Sequence, residues 1–313
     1  MNDRPIALVV GASRGLGLLV AADLAKRGHQ VVLAARSQET LDAAARWITR
    51  QGVPETFIHT AVMDASDARS VADAVEDVET TVGPVDVAIH VAGIIEVGPA
   101  ENTTRGHMEH AMNIMAWGPV NLADAVVARM RERQRGRFAV VTSIGGMLSA
   151  PHLLAYSTAK FAAVGFTEGL AASLAGSGVT ASVVAPGLMR TGSHAAAEFY
   201  GDRQREYAWF APAASLPLVS MDAQRAAQAI VGGVLAGKPY VILTPAAKVG
   251  ARVHGLAPGL TTRLLGVVNR LLPGPVDGAT KPIPGAELAP SAGRLVKVLT
   301  SLGDRSRRRN LEP

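Results

Sequence analysis

The 313-residue chain contains no cysteine, little aromatic character and few charges. Without cysteine it has no disulfide, no thiolate nucleophile and no cysteine-based zinc site, and we expect no metal. Charged residues make up 18% of the chain and hydrophobic residues 48%, which excludes global disorder and allows a large buried core. No uninterrupted apolar run reaches the roughly 20 residues that span a bilayer.

The first residues, MNDRPIALVVGASRG, enter an apolar run at once. They lack the basic start, the long apolar stretch and the cleavage site of a signal peptide. A cytoplasmic location is therefore expected. The chain length fits one large domain or two small ones.

The positive charge lies at one end of the chain. Residues 1–245 hold 20 Lys+Arg against 22 Asp+Glu, and residues 246–313 hold 11 against 4. A body without a basic patch interleaved with aromatics excludes a nucleic-acid partner. We therefore divide the chain into a body, 1–245, and a basic extension, 246–313, which is rich in Gly and Pro and carries a helical apolar stripe over 260–272.

Short apolar runs alternate with helix-like segments through the body. The predicted strands are Pro5–Val10, Gln30–Ala35, Thr56–Met63, Val85–Val91, Gly136–Ser143, Val179–Ala185 and Tyr240–Leu243. The predicted helices are Leu16–Arg27, Glu39–Gln51, Asp67–Val82, Arg105–Arg133, Leu154–Leu174 and Asp222–Leu235. Strands that are apolar throughout are typical of parallel sheets buried on both faces. The alternation predicts an α/β fold with a doubly wound, seven-stranded parallel sheet of the Rossmann type.

A glycine-rich turn joins the first strand to the first helix. Its residues are Gly11, Ser13, Arg14, Gly15, Leu16 and Gly17. A pyrophosphate at a helix N-terminus needs tight backbone turning and close approach, which side chains would block. In this position of a Rossmann-like fold the turn predicts a dinucleotide site.

The end of the second strand bears on which dinucleotide is bound. NAD-preferring folds commonly place an acidic residue there, against the ribose hydroxyls. Here the strand ends in Arg36, and a second cation, Arg14, lies in the glycine turn. Two cations favour the 2′-phosphate of NADP(H) over NAD(H). Asp64, after the third strand, fits either a contact to the adenine amino group or a cap on the next helix.

The segment LLAYSTAKFAAVGF, residues 153–166, sets a phenol and an ammonium four residues apart in an apolar helix. Positions four apart share one helix face, so Tyr156 and Lys160 lie on the same side. Either both polar tips extend to water at a helix edge, or the cation tunes the phenol for proton transfer. The segment alone does not decide between them.

Several motifs together resemble the short-chain dehydrogenase/reductase family over residues 4–245. They are GASRGLG (11–17), VAG (91–93), Asn113 in MNIMAWG, Ser143 in VVTSIGG, YSTAK (156–160) and PGLMRT (186–191). Two motifs depart from the family pattern, which usually has Thr where Val10 stands and often has Asn-Asn where His90-Val91 stands. His90 is interpreted as a packed strand residue.

The resemblance implies a role for each catalytic residue. Tyr156 would be the general acid in carbonyl reduction, and its ordinary pKa of about 10 would be lowered by Lys160 and the nicotinamide cation. Lys160 would also bind the nicotinamide ribose, and Ser143 would donate to the substrate oxygen. Asn113 would hold a water that relays protons to Lys160, or would only kink its helix.

The resemblance also implies further cofactor contacts. These residues are Ala92, Gly93, Pro186, Gly187 and Thr191, with Thr191 at the carboxamide of the nicotinamide. The family often pairs through its long helices, so a homodimer or homotetramer is expected.

The irregular region 188–220 contains five aromatic residues within 12 positions: Phe199, Tyr200, Tyr207, Trp209 and Phe210. In the family this region covers the substrate, so a bulky hydrophobic carbonyl or alcohol is expected, unless these rings form a subunit contact. For the extension we favour protein packing over peripheral membrane contact. The arginine run 305–309 is interpreted as a solvated end.

The leading functional prediction is an NADP(H)-dependent carbonyl reductase or alcohol dehydrogenase. The alternatives are a non-enzymatic NADP(H)-sensing protein on the same fold and a dehydratase or epimerase. A sensor needs no proton donor, so Tyr156 and its partners favour an enzyme.

Overall fold

The computed structural model describes residues 4–215 and 220–312. Seven parallel strands form a central sheet in the order β3-β2-β1-β4-β5-β6-β7. They are β1 (Ile6–Val10), β2 (Gln30–Ala35), β3 (Ile58–Val62), β4 (Val85–His90), β5 (Gly136–Val141), β6 (Val179–Ala185) and β7 (Tyr240–Ile242). The predicted fold class is confirmed, and each predicted strand end lies within two residues of the observed one.

Two sequence predictions concern residues that lie outside the described ranges. Residues 1–3 begin the N-terminal stretch in which we looked for a signal peptide, and residues 216–219 belong to the irregular region 188–220. Within the described parts of the chain, no helix is both long and apolar enough to cross a membrane.

Alternate residues of each central strand pack into opposite layers. In β1, Ala7 and Val9 belong to one buried cluster, and Ile6, Leu8 and Val10 belong to another. The period of two along a strand sends neighbouring side chains to opposite faces of the sheet. Because both faces are covered, β1 is buried at every position, which explains its unbroken apolar sequence.

The helices flank this sheet in two layers. Their bounds are α1 (Gly15–Lys26), α2 (Gln38–Thr49), α3 (Ala68–Thr81), α4 (Arg105–Met112), α5 (Gly118–Glu132), α6 (Leu154–Ser173), α7 (Ser193–Ala196), α8 (Arg203–Ser215), α9 (Ala223–Leu235), α10 (Pro245–Leu256), α11 (Pro258–Asn269), α12 (Gly285–Leu288) and α13 (Arg294–Arg309). Helices α1, α2 and α9 pack on one face of the sheet, and α3, α5 and α6 pack on the other.

The single long helix predicted over Arg105–Arg133 is interrupted. Between α4 and α5, residues Asn113–Trp117 form a wide π-helical turn. Pro119 lies in the first turn of α5, where it provides no backbone N–H to continue the regular pattern. The extra width of the turn changes which side chains face inward, and this affects the candidate site.

The aromatic residues of region 188–220 form a small core of their own. Phe199, Tyr200, Tyr207 and Phe210 are at most 6% exposed. Phe199, Tyr207 and Phe210 pack with Val97 from the body and with residues of the extension. The expectation that these rings face a substrate or a second subunit is wrong for these four, because the chain itself buries them. The extension covers Phe199, Tyr207 and Phe210. Tyr200 stacks on His107 of α4.

The extension joins the body at several places. Its two-residue strand Ile283–Pro284 pairs with Glu198–Phe199, and α13 packs against α8. The arginine run 305–309 is the last part of α13, and its Ser306 is buried and donates to the carbonyl of Arg190 at 2.8 Å. The run is therefore not simply a solvated end.

Candidate active site

The predicted site residues follow successive strands at one edge of the sheet. The glycine turn follows β1, Arg36 follows β2, Asp64 follows β3, Ala92–Gly93 follows β4, Ser143 follows β5 and Pro186–Gly187 follows β6. Because parallel strands all point the same way, their carboxyl ends meet at one edge, where open α/β sheets bind ligands.

The glycine turn needs glycine at its two outer positions. Gly11 has φ of +88°, and a Cβ there would lie 2.6 Å from the backbone nitrogen of Ala92. A Cβ at Gly17 would overlap the carbonyl oxygen of Gly11. Within the turn Ser13 and Leu16 are half-buried and Arg14 is exposed. The turn is thus folded tightly onto the loop after β4, which is possible only because side chains are absent at Gly11 and Gly17.

Ser143, Tyr156 and Lys160 lie together. Ser143 forms a hydrogen bond with Tyr156, and its Oγ accepts from the N–H of Gly145 at 3.0 Å. The Nζ of Lys160 lies 5.8 Å from the centroid of the Tyr156 ring and donates to the carbonyl of Val141 at 2.8 Å. Lys160 is 5% exposed, so it does not extend to water at a helix edge.

Burial sets the protonation of this group. Desolvation lowers the pKa of Lys160 to about 8. Desolvation also raises the pKa of Tyr156, and the hydrogen bond from Ser143 only partly offsets this. The pKa of Tyr156 is thus raised and not lowered as expected, and burial is the largest cause. The phenol is a proton donor at neutral pH.

Asn113 does not join this group. Its side chain is exposed and lines an outer groove with Met108, Met112 and Trp117. Met115, two residues later, is 1% exposed. A Cβ at Gly93 would lie 3.3 Å from the Sδ of Met115 and 3.5 Å from the Nζ of Lys160. The π-helical turn therefore directs Met115 to the position beside Lys160 that was expected for Asn113.

Met115 in the place expected for Asn113 changes the hydrogen bonds that can form beside Lys160. The asparagine amide was expected to hold a water, and it both donates and accepts hydrogen bonds, whereas a thioether is only a weak acceptor. Among the described residues, the side chain beside Lys160 near Gly93 is therefore a thioether and not the expected amide. The missed sequence signal is the glycine of MAWG. Gly118 directly follows the π-helical turn and packs against His90, where a Cβ would lie 2.7 Å from the His90 Nε2.

His90 is the packed strand residue that the sequence indicated. It is 1% exposed, and burial, with a smaller effect of the Lys160 charge, lowers its pKa to about 3. It is therefore neutral throughout the physiological range. Val10 is likewise buried, and its carbonyl accepts from the N–H groups of Val91 and Ala92 at 2.8 and 3.0 Å.

The residues expected at the adenosine end remain accessible. Arg36 is exposed, and its charge helps to lower the pKa of Asp64, after the larger effect of hydrogen bonds from Ser66. Asp64 accepts from the Ser66 hydroxyl at 2.7 Å and from its N–H at 3.0 Å. The cap of α3 is Asp67, so Asp64 does not cap that helix.

The motif after β6 forms the opposite wall. The carbonyl of Pro186 accepts from the N–H of Ile144 at 2.9 Å, which joins this loop to the Ser143 loop. Gly187 lies against the hydroxyl of Thr244, which leaves no room for a Cβ. Thr191 is buried, and its hydroxyl accepts from the N–H of Ser193 at 3.2 Å.

The C-terminal end of the chain also lies in this site. The carbonyl of Asn310 accepts from the N–H of Gly15 at 2.9 Å, and a carboxylate oxygen of Glu312 accepts from the N–H of Gly192 at 2.6 Å. Sequence reasoning missed both contacts, because nothing in the local pattern of residues 310–312 relates them to Gly15 or to Gly192, which is 120 positions before Glu312.

Comparisons with known proteins agree with this geometry. Residues 5–198 match the family model described as short chain dehydrogenase. The gluconate 5-dehydrogenase of Gluconobacter oxydans is 34% identical over 185 residues, covering 59% of this chain and 71% of that one. A 3-ketodihydrosphingosine reductase of Bacteroides thetaiotaomicron is 32% identical over 187 residues, covering 60% and 65%.

Two solved structures are similar in fold. A short-chain dehydrogenase from Streptomyces avermitilis has a TM-score of 0.73 at 27% identity, covering 86% of this chain and 98% of that chain. The actinorhodin polyketide ketoreductase with NADPH has a TM-score of 0.69 at 25% identity, covering 80% and 98%. With its seven-stranded sheet, its glycine turn and the match over residues 5–198, the chain belongs to the short-chain dehydrogenase/reductase family of oxidoreductases.

Proposed function

We propose that the protein is an NADP(H)-dependent oxidoreductase that interconverts a carbonyl and an alcohol on an apolar substrate. The observation that carries the proposal is the group formed by Ser143, Tyr156 and Lys160 at the carboxyl edge of the sheet, opposite the glycine turn. A neutral phenol beside a hydroxyl and a buried ammonium is suited to giving a proton to a carbonyl oxygen.

The chemistry divides between the protein and the dinucleotide. The bound dinucleotide supplies the hydride in reduction and accepts it in oxidation. In reduction Tyr156 donates its hydroxyl proton to the substrate oxygen as negative charge develops there, and Ser143 donates a hydrogen bond to the same oxygen. The products are an alcohol and a phenolate, which Lys160 stabilises by its charge until a proton returns from solvent.

The residues present fit a nicotinamide dinucleotide. Gly11 and Gly17 leave a cradle of bare backbone at the N-terminus of α1, where N–H groups bind pyrophosphate. Arg14 and Arg36 are exposed cations at the ribose end, and they support NADP(H) over NAD(H). The similar ketoreductase with NADPH supports the same choice.

An apolar substrate is supported by the residues beside Ser143 and not by the aromatic cluster. The aromatic cluster is buried, but Ile144, Met147 and Leu148 are half-buried beside Ser143. Helix α10 covers this apolar wall, and a Cβ at Gly250 would lie 3.8 Å from Leu148. An apolar wall next to one polar reacting group favours a hydrophobic carbonyl compound.

Subunit pairing is proposed on the surface formed by α4, the π-helical turn and α6. Trp117 is 56% exposed and Phe161 41% exposed on these elements. Exposed large apolar side chains on neighbouring helices are typical of a protein contact. We expect a homodimer or homotetramer through this surface.

One experiment tests the activity. NADPH and NADH oxidation would be measured against ketones and aldehydes of graded size and polarity, together with NADP+ reduction against the matching alcohols. We expect turnover with NADPH on apolar ketones, and slower turnover with NADH. Turnover confined to small charged substrates would contradict the apolar specificity.

A non-enzymatic nucleotide-sensing function is the second candidate. It is favoured by Met115 in place of a polar relay and by the C-terminal residues in the glycine turn. Dinucleotide binding without turnover across the whole substrate panel would favour this second function.

A further inference from the structure

The residues at the C-terminus occupy the backbone that the glycine turn offers to a ligand. The N–H of Gly15, in the first turn of α1, already donates to the carbonyl of Asn310 at 2.9 Å. A Cβ on Gly15 would lie 2.9 Å from Oε1 of Glu312. The other oxygen of that carboxylate accepts from the N–H of Gly192 at 2.6 Å. A single side chain therefore bridges the two walls of the cofactor site.

The segment is held there by contacts along its length. Asn310 is fully buried, and its amide donates to the Ser306 hydroxyl at 3.1 Å. The indole N–H of Trp47, on α2, donates to the carbonyl of Arg309 at 2.9 Å. Leu311 packs against the buried cluster on the face of the sheet that carries α1, α2 and α9. These contacts fix where the carboxylate of Glu312 lies.

The chemistry of the carboxylate resembles that of a phosphate. It accepts from the N–H of Gly192 and lies beside Gly15 at the N-terminus of α1, near the positive charges of Arg14 and Arg307. Helix N-termini with cations bind carboxylates and phosphates by the same interactions. A pyrophosphate at this turn needs the N–H of Gly15, which the carbonyl of Asn310 occupies, and the space beside it, which the Glu312 carboxylate fills. The segment and the pyrophosphate therefore exclude each other.

We propose that residues 310–312 are an internal competitor for the dinucleotide: the Glu312 carboxylate occupies the pyrophosphate position, and cofactor binds only when this segment leaves the site. The proposal rests on the dinucleotide site of the proposed function. It gives the C-terminal extension a role in controlling the occupancy of the site.

The protonation of Glu312 agrees with a contact that is easily released. Burial raises its pKa to about 7, although the Gly192 N–H and the Arg14 and Arg307 charges act in the opposite direction. A released carboxyl has an ordinary pKa of about 4.3, so docking takes up a proton between these values. The docked state is strongest below this window and weakens as the pH rises towards 7.

The test compares the full chain with a deletion of residues 310–313 and with Glu312→Gln. The matched control is Glu287→Gln, which removes an exposed carboxylate elsewhere in the extension. Affinity for NADP+ would be measured by titration calorimetry, and release of the segment by hydrogen exchange over residues 306–312. Far-UV circular dichroism would check that every variant is folded.

We expect the deletion to bind NADP+ at least about tenfold more tightly than the full chain, on the scale of one charge-assisted hydrogen bond. Glu312→Gln should also bind NADP+ more tightly than the full chain, whereas the Glu287→Gln control should stay within about twofold of it. Saturating NADP+ should increase hydrogen exchange over residues 306–312 in the full chain. Equal affinities in the full chain and the deletion, with unchanged exchange, would overturn the competitor and leave the dinucleotide site standing. Absence of binding of both NADP+ and NAD+ by the deletion would instead overturn the dinucleotide site itself.

A separate surface lies on helices α10 and α11, which we call the exposed hairpin (residues 245–269). It continues to Leu271 with a run of exposed apolar side chains. Leu256 is 88% exposed and Leu271 is 84% exposed. The other exposed apolar residues are Val249, Val253, Leu260, Leu264, Val267 and Val268. So many exposed large apolar residues in one short segment indicate a surface with a partner.

The charges of the hairpin indicate the kind of partner. Residues 245–276 contain no Asp or Glu, and their cations are Lys248, Arg252, Arg263 and Arg270. A second copy pairing symmetrically through this surface would bring like charges together. An anionic lipid surface offers apolar depth and negative charge together. Each helix has 12 residues, or about 18 Å, which is too short to cross the hydrocarbon core but long enough to lie in its surface.

We infer that the exposed hairpin binds the surface of an anionic bilayer, beside the substrate site. Helix α10 contacts the turn Ile144–Gly146, next to Ser143. Docking there would place the apolar wall of the site near the lipid, which fits an apolar substrate.

The test is flotation with vesicles of phosphatidylglycerol and phosphatidylcholine at low and high salt. The double variant Leu256→Asp/Leu264→Asp is compared with Leu295→Asp, which alters an exposed leucine on α13. We expect the full chain and Leu295→Asp to float with anionic vesicles at low salt, and at least about tenfold less of the double variant to do so. Absence of flotation at low salt, or equal flotation of all three proteins, would overturn the inference. An oligomer that only the double variant dissociates, without lipid binding, would identify a second copy as the partner and also overturn it.

Discussion

Replacing Lys160 by methionine should change how the stability of the protein depends on pH. Lys160 is 5% exposed, and burial lowers its pKa from 10.5 to about 8. Between these values the unfolded chain binds more protons than the folded chain. The free energy of unfolding should therefore rise as pH increases from about 8 towards 10.

The expected change in the free energy of unfolding follows from the pKa shift of Lys160. A change of one pKa unit corresponds to about 1.4 kcal/mol, so the lowered pKa represents about 3 kcal/mol, present in full as a cost below pH 8. Lys160→Met removes this cost and also the hydrogen bond to Val141, which contributes about 1 kcal/mol. At pH 7 we expect the variant to be about 1–3 kcal/mol more stable than the unchanged protein.

The assay is urea unfolding of both proteins between pH 6.5 and 9.5, with comparison of the difference between them. Subtracting the two free energies of unfolding removes the effects of the other titrating groups. His90 stays neutral over this pH range, and Tyr156, whose pKa is raised, titrates above it. The difference should shrink as the pH rises from 8. A difference that is constant over this range, or a variant that is less stable at pH 7, would refute the reasoning.

Further substitutions test the placement of individual residues. Asn113→Ala should change kcat by less than about twofold and the free energy of unfolding by less than about 0.5 kcal/mol, since the side chain is exposed. Met115→Ala should lower the free energy of unfolding by about 2–5 kcal/mol in urea, because it leaves a cavity. Gly17→Ala should destabilise by more than about 2 kcal/mol or prevent folding, whereas Gly169→Ala, in an open position of α6, should stabilise by about 0.5–1 kcal/mol. Arg36→Glu should weaken NADPH binding by about tenfold or more in calorimetry and leave NADH binding nearly unchanged; an equal loss for both dinucleotides would remove Arg36 from the 2′-phosphate.

The sequence predicted the parts of the fold that depend on local pattern. The strand Ile6–Val10 is apolar and buried at every position, so its bounds can be predicted closely from composition. The glycine turn could also be predicted from the sequence, because a Cβ at Gly11 or Gly17 would meet backbone atoms. Lys160 lies beside Tyr156 because positions four apart in a regular helix share a face.

The parts that failed depend on geometry that no local pattern records. Asn113 and Met115 are two residues apart, and the π-helical turn decides which of them faces Lys160. The aromatic residues of region 188–220 were predicted to cover the substrate, but the extension buries Phe199, Tyr207 and Phe210. The contact of Glu312 with Gly192 joins positions 120 apart, and it depends on how α13 packs against α8.

The kinetics of Tyr156→Phe test the central claim most directly. The substitution removes only the hydroxyl, so the variant should bind NADPH with unchanged affinity by calorimetry. Single-turnover reduction of the best ketone from the substrate panel should fall by at least about 100-fold, the scale of general acid catalysis. Reduction at the unchanged rate, with NADPH affinity intact, would contradict the role of Tyr156 as proton donor.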